Sequence, residues 1–370
     1  MFRILKKMLI CLLVTIVVLA VATLLFMQLP QFGKTPTGKR LERIQKSPNY
    51  RDGKFQNQHF TPDLAEGTTY IDILKTYLKT VPEKEPTAKL PSVRTDLKNI
   101  KSDKPVVIWF GHSSYLLQID GKKILVDPVF SGIASPVSFF GKNYDGANEY
   151  SVDDFPELDL LIITHDHYDH LDYETIKKLE PKVKKVITSL GTGEHLEYWG
   201  YGSDKIFELD WWEGTKIDDS TSITATPARH FSGRGFQRNQ SFWSSFVLKT
   251  PKYQIYLGGD SGYDSHFKEI NARFGEFDLA ILECGQYNDM WKYIHFKPEE
   301  VVQAAKDLNT KLLLPVHWSK FTLGLHPWKE PIERVTKEAE IQKMPITTPM
   351  IGEKMVIGEY QPTKRWWEGF

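Results

Sequence analysis

Residues 165–170 read His165-Asp166-His167-Tyr168-Asp169-His170, three imidazoles and two carboxylates within six positions. Imidazole nitrogen and carboxylate oxygen together suit zinc, and iron or manganese take similar donors. The run follows an apolar strand ending at Thr164 and precedes a helix from Tyr173. At the C-terminal edge of a strand a loop can turn alternate side chains inward. His165 and His167 then address one point, and Asp169 and His170 a neighbouring one. A solvated polar turn is the plain alternative, and so dense a set of donors argues against it.

One loop cannot fill two four- or five-coordinate shells, so further donors must come from other strand ends. His230, in Pro227-Ala228-Arg229-His230, follows a strand over 223–226. Asp260 closes a hairpin, and its carboxylate could bridge two ions. His317, in Pro315-Val316-His317-Trp318, ends the last strand. A single His or Asp at a strand end is more often a hydrogen-bonded structural residue. Four strand ends delivering donors to one layer weigh against that.

The elements that position these residues come in two similar halves. Strands over 116–119 and 123–126 flank Asp120-Gly121, a hairpin signal. The apolar run 158–164 reads as a strand covered on both faces, followed by a helix over 173–179 and a strand over 183–188. The order then recurs: strands over 242–248 and 253–257, an acidic loop at Gly259-Asp260, a buried strand over 277–283, a helix over 298–308 and a strand over 311–316. Two such halves would pack as an α/β sandwich with helices outside.

The chain has 370 residues, with 47 Lys+Arg against 47 Asp+Glu, 41% apolar and 25% charged residues. That is ordinary globular composition, and no global positive field would steer it to nucleic acid, so no nucleic-acid partner is expected. Cys11 and Cys284 cannot build a disulfide scaffold. Aromatic residues make up 13%; Trp211, Trp212, Trp291, Trp318, Trp366 and Trp367 are expected mostly in the core, with a few near the site or a bilayer interface.

The first thirty residues are a different material. Arg3, Lys6 and Lys7 precede an uncharged apolar run over 8–27, closed by Pro30. Such a run matches the roughly 30 Å hydrocarbon core of a bilayer. Ala20-Val21-Ala22 resembles a signal-peptide cleavage site, but the apolar run continues past it, so an uncleaved single-pass anchor over 1–30 is expected. Lys34, Lys39, Arg40, Arg43 and Lys46 follow the run and count toward a cytoplasmic domain, whereas the short basic leader reads as an export anchor. The latter is preferred, with the domain that follows extracytoplasmic. Residues 31–104 read as a tether and N-terminal extension with a helical patch over 71–78, and 105–370 as the main domain.

The His-x-His-x-Asp-His motif with later His, Asp and His resembles the metallo-β-lactamase superfamily of binuclear metal hydrolases. Gly111-His112-Ser113-Ser114, Asp127-Pro128-Val129-Phe130-Ser131, His167-Tyr168-Asp169-His170-Leu171-Asp172 and Gly259-Asp260-Ser261-Gly262-Tyr263 are similar to its N-acyl-phosphatidylethanolamine phospholipase D branch. So are residues 273–280, Lys292-Tyr293-Ile294-His295 and His317-Trp318. The resemblance implies a four-layer αβ/βα sandwich and two zinc ions. His165, His167 and His230 would hold one, Asp169, His170 and His317 the other, and Asp260 would bridge. Glu283-Cys284-Gly285-Gln286 and residues 234–241 depart from the branch, and both are expected to line the substrate pocket.

The implied activity is a phospholipase D-type phosphodiesterase on N-acyl-phosphatidylethanolamine or a related phospholipid, by attack of a metal-activated hydroxide on phosphorus. Asp169 and Asp260 are the catalytic carboxylates, and His295 is expected to contact the phosphate or the leaving group. Asp166 and Asp172 are read as partners of the ligands or a helix cap, and His112 as a ligand-orienting or structural residue. His59, His195, His266 and His326 carry no motif. The rival readings are a metal-dependent lactonase of the ascorbate-6-phosphate lactonase type, a nuclease, and a non-catalytic metal-binding protein.

Overall fold

The uncharged run forms a helix, α1 (Phe2–Phe26), none of whose residues is buried. Its two threonine hydroxyls bond back to Cys11 O and Leu19 O at 2.9 and 2.8 Å. Both hydroxyls are thus satisfied inside the helix, as an apolar surrounding requires. The helix is long and apolar enough to cross a membrane. It begins earlier than the apolar run, because nothing in the basic leader breaks it. The computed structural model describes residues 2–370; Met1, the first residue of the expected anchor, lies outside them.

After a single turn at Pro30–Phe32 come α2 (Gly38–Ile44), a small hairpin β1 (Tyr50–Arg51) and β2 (Lys54–Phe55), and α3 (Tyr70–Tyr77). Thr69 and Asp72 cap α3 reciprocally. The body then runs β3 (Val106–Trp109), β4 (Tyr115–Ile119), β5 (Lys122–Val126), β6 (Leu160–Ile163), α4 (Tyr173–Leu179), β7 (Val186–Ser189), α5 (Gly193–Tyr198), β8 (Ile206–Leu209), β9 (Gly214–Lys216) and β10 (Ser222–Thr226). It continues through β11 (Ser245–Lys249), β12 (Gln254–Leu257), α6 (His266–Phe274), β13 (Leu279–Glu283), α7 (Pro298–Asp307), β14 (Leu313–Val316), α8 (Glu330–Gln342) and β15 (Lys354–Val356).

Besides the β1-β2 hairpin, two large sheets form, in the orders β15-β3-β4-β5-β6-β7-β8 and β14-β13-β12-β11-β10-β9. Asp120 and Gly121 both take positive φ, at 46° and 75°, which makes the tight turn between β4 and β5. In the first half β4–β5 is antiparallel and β5–β6–β7 parallel. In the second, β11–β12 is antiparallel and β12–β13–β14 parallel. The repeat expected from the sequence is therefore a repeat of topology.

Alternation along the strands builds the layers. Val107, Trp109, Leu117 and Ile162 share one apolar cluster with Phe246 and Leu257 of the other sheet and Val301 of α7. Val106, Ile108, Leu116 and Ile163 share another with Ile176 of α4 and Leu196 of α5. Helices flank both sheets, which is the four-layer αβ/βα sandwich.

Two strands start three residues later than expected. Val183 follows a turn at Glu180–Lys182 and makes only an isolated bridge to Leu158 before β7 begins. Phe242 and Trp243 leave the ladder ahead of β11 and join Phe55 and Trp211 in a separate apolar cluster.

Candidate metal centre

The C-terminal ends of the parallel strands converge, as they do in open α/β sheets where ligands bind. Asp127 follows β5, His165 follows β6, Asp260 follows β12, Glu283 ends β13 and His317 follows β14. All seven candidate ligands meet there. His165 Nε2 and His230 Nε2 lie 2.9 and 3.2 Å from His167 Nδ1. Asp260 reaches both sides: Oδ2 is 3.7 Å from His230 Nε2, and Oδ1 is 3.2 Å from both His170 Nε2 and His317 Nδ1. His170 Nε2 is 3.6 Å from Asp169 Oδ2.

Hydrogen bonds behind the rings fix which nitrogens carry lone pairs. His230 Nδ1 donates to Ile294 O at 2.8 Å, leaving Nε2 unprotonated in the neutral ring. His170 Nδ1 donates to Asp127 Oδ2 at 2.8 Å, which leaves Nε2 as its inward-facing nitrogen. Against the penalty of burial, the carboxylates of Asp260, Asp169 and Asp127 hold this ring well above the usual histidine range, so a metal would have to displace the Nε2 proton. The Thr164 hydroxyl donates to Asp127 Oδ2 at 2.6 Å and so accepts from His165 Nδ1 at 3.0 Å, which bares His165 Nε2. Two lone pairs therefore face His167 Nδ1, which has at most one proton to offer. His170 Nε2 and Asp260 Oδ1 are buried with no hydrogen-bond partner among the described residues. Cations satisfy all these atoms together, so the donor set fits a metal pair.

For three of the rings the electrostatics agree. Burial, reinforced by the neighbouring imidazoles, holds His165, His230 and His317 well below the usual histidine range. They are neutral donors at physiological pH, the form a metal requires. Burial pushes the Asp260 carboxyl up to about 7, and the Glu283 carboxylate adds to the rise. A nearby divalent charge would reverse that shift.

Two loops at the site are stitched backbone to backbone. His112 N–H donates to Trp318 O and His317 N–H to His112 O, each at 2.8 Å. His112, Asp127, Gln286 and His317 all have positive φ, between 40° and 68°. Non-glycine residues hold that conformation only where the surroundings impose it, which is common at functional sites. His112 Nε2 contacts Asp169 Oδ2 at 2.8 Å, so the ligand-orienting reading of His112 is the one its position supports.

A beta-lactamase superfamily domain profile matches residues 122–318, more than half of the chain. The chain belongs to the beta-lactamase superfamily. It is 37% identical over 332 residues to an uncharacterised protein of Mycobacterium tuberculosis, covering 87% of this chain and 88% of that one. It is also 32% identical over 229 residues to the N-acyl-phosphatidylethanolamine-hydrolyzing phospholipase D 1 of Caenorhabditis elegans, covering 58% of this chain and 64% of that protein. Among solved structures, a metallo hydrolase of Ignicoccus hospitalis superposes with a TM-score of 0.53 at 18% identity, over 68% of this chain and 97% of its own. The protein is a metal-dependent hydrolase of the metallo-β-lactamase fold.

Over the superfamily centre opens a cavity of about 320 Å³, walled by Tyr70, Ile73 and Tyr77 of α3 and by Phe231, Trp291 and Leu323. His295 lines it too, with Nδ1 on Glu283 Oε2 at 2.8 Å. Gln286 and Arg238, from the two stretches that depart from the branch, both line it.

Sequence reasoning missed several contributors. Asp127 carried a motif but no role, although it orients His170. Glu283 stood in a divergent stretch, yet it holds His295 and accepts Ser261 N–H at 2.6 Å. His195, without a motif, contacts Asp166 Oδ2 at 3.3 Å. Asp172 sits at the N-cap of α4 without bonding its backbone; it accepts Ser131 N–H at 2.9 Å instead. The α3 wall had no sequence signal beyond its amphipathic spacing.

Proposed function

We propose that this hydrolase is a membrane-anchored, zinc-dependent phosphodiesterase of the phospholipase D type, acting on N-acylated phosphatidylethanolamine or a closely related phospholipid. The observation that carries the reading is the junction of a binuclear donor set with an apolar cavity wall supplied by α3. A phosphodiester bearing acyl chains needs both a cationic centre and an apolar berth. The similarity to a phospholipase D of that specificity, and an N-terminal helix of spanning length in the same chain, support it. The basic leader Arg3, Lys6 and Lys7 supports an extracytoplasmic catalytic domain.

In this reading His165, His167 and His230 hold one zinc, Asp169, His170 and His317 the other, and Asp260 both. Bound there, the two ions supply charge for the phosphoryl oxygens and a water of lowered pKa. The chain's own residues do the rest. Tyr70, Ile73 and Tyr77 hold the acyl part and keep bulk water from the centre. Burial holds the Glu283 carboxyl well above the usual range, so it keeps its proton and donates it to His295 Nδ1, which places the ring's own proton on Nε2. As Nε2 gives that proton to the departing alcohol, Nδ1 takes the one from Glu283.

The test is a panel of phospholipids, soluble phosphodiesters and lactones, assayed with and without chelator. Chelator-sensitive release of phosphatidic acid and an N-acylethanolamine is the expected result. Lactone turnover without phosphodiester turnover overturns the substrate assignment, and full activity in metal-free protein overturns the mechanism. His295→Ala should retain metal and lose turnover.

A further inference from the structure

Residues 30–34, immediately after the apolar helix, touch the metal-binding loop through two routes. In the first, Arg234 is buried with no carboxylate partner among the described residues and spends its guanidinium on backbone carbonyls. It donates to Gln31 O at 3.0 and 2.7 Å, to Asp166 O at 2.7 Å and to Leu171 O at 2.8 Å. It also lies over the Tyr168 ring, 4.0 Å from its centre, and Tyr168 OH returns a bond to Arg234 O. One side chain thus clamps residue 31 to both ends of the loop that carries His167, Asp169 and His170.

In the second route, Lys34 N–H donates to His195 Nδ1 at 2.9 Å, and His195 Nε2 meets Asp166 Oδ2 at 3.3 Å. Asp166 also accepts Ser241 Oγ at 2.6 Å and Gly233 N–H at 2.7 Å, so its carboxylate is fully used. Gly33 lies against the same imidazole: a Cβ there would stand 2.0 Å from His195 Nδ1, at a φ of 69°. Only glycine fits both the conformation and the space. Around these contacts, Pro30 O accepts Trp199 Nε1–H at 2.8 Å, and Arg40 meets Glu194, Glu197 and Glu208 at 2.6 to 2.8 Å.

We propose that residues 30–34 are a buttress of the metal centre, in which Arg234 and His195 are positioning residues that set the loop 165–172 for tight metal binding. The segment that leaves the apolar helix then belongs to the outer shell of the site. Outer partners of metal ligands typically control affinity by 10- to 100-fold. The inference rests on the metal-centre reading above.

The experiment uses full-length protein in detergent and follows zinc by stoichiometry and chelator competition. Far-ultraviolet circular dichroism and the melting temperature of the metal-free form are measured in parallel. Gly33→Ala, Arg234→Lys and Lys34→Pro should each weaken zinc binding about tenfold or more, a loss well beyond what the accompanying fall in the metal-free melting temperature accounts for. Lys34→Ala, which keeps the N–H, should match wild type. The cobalt(II)-loaded variants should show altered visible absorption, a signature that a merely structural role would leave in place.

Wild-type affinity in both Gly33→Ala and Arg234→Lys overturns the buttress while leaving the metal centre standing. Wild-type protein that takes up no metal overturns both. A variant whose affinity and metal-free melting temperature fall in proportion counts against the inference, since that is loss of fold and not of positioning.

Discussion

Asp127 Oδ2 lies 2.8 Å from His170 Nδ1 and takes the Thr164 hydroxyl on the same oxygen, while Oδ1 accepts Thr164 N–H at 2.8 Å. One carboxylate therefore orients two imidazoles, His170 directly and His165 through the threonine. Asp127→Asn keeps the shape and tolerates the positive φ of 40°, but offers only one acceptor oxygen. It should weaken zinc binding by about 10- to 100-fold without changing secondary structure. Chelator competition and circular dichroism on the same sample check both halves.

Much of this site was legible because metal chemistry restricts which residues serve. Few sequences place His165, His167, Asp169 and His170 so closely, and the strands that deliver His230, Asp260 and His317 carry strong apolar patterns. The hairpin at Asp120-Gly121 and helix α4 were legible because turn chemistry and helical period are local. What stayed hidden depends on contacts between distant residues. Nothing local distinguishes His195 from a surface histidine until Asp166 and Lys34 approach it. Glu283 reads as the end of a strand until folding puts His295 beside it. The wall role of α3 was invisible because it depends on where residues 31–104 pack.

Gly285 precedes the pocket residue Gln286, and a Cβ at Gly285 would stand 2.2 Å from His317 O. Backbone cannot yield as a flexible side chain would, so Gly285→Ala must displace the strand end that presents His317. The expected outcome is protein that holds less zinc, with turnover reduced at least about tenfold. Metal analysis of the dialysed protein and steady-state kinetics decide it.

Val14 is near the middle of α1 and exposed. If α1 spans a bilayer, Val14→Arg places a charge at its centre at a cost of about 3 kcal/mol. Membrane-bound protein should then fall sharply in fractionation and in flotation with liposomes. Protein that floats as before would exclude α1 as a spanning segment.

Ile73 contributes an apolar patch to the cavity and lies on the opposite chain segment from the metal ligands. Ile73→Asp removes that patch and places a charge beside the acyl berth. Loss of about 1.4 kcal/mol of apolar burial corresponds to a tenfold fall in kcat/KM for a long-chain phospholipid. A small soluble phosphodiester, which has no chain to seat, should be turned over almost as before. Equal loss on both substrates would mean that the substitution damaged the centre and not the berth.

Lys320 is fully buried, donating to Val129 O at 2.8 Å and Phe110 O at 3.2 Å, with its ammonium 5.0 Å from the Phe130 ring centre. Burial lowers its pKa to about 7, against the pull of Asp172 toward the charged form. The unfolded chain keeps the ordinary lysine value near about 10.4. From pH 7 to about 10 the unfolded chain holds a proton that the folded chain has released, so unfolding free energy rises with pH across that window. Below pH 7 both states are protonated and this contribution stays flat. Urea denaturation of the wild type at pH 7.5 and 9.5 should therefore show a gain of about 2 kcal/mol that Lys320→Met lacks. Equal pH slopes in the two proteins would mean that the two carbonyls and the aromatic face hold the buried ammonium charged.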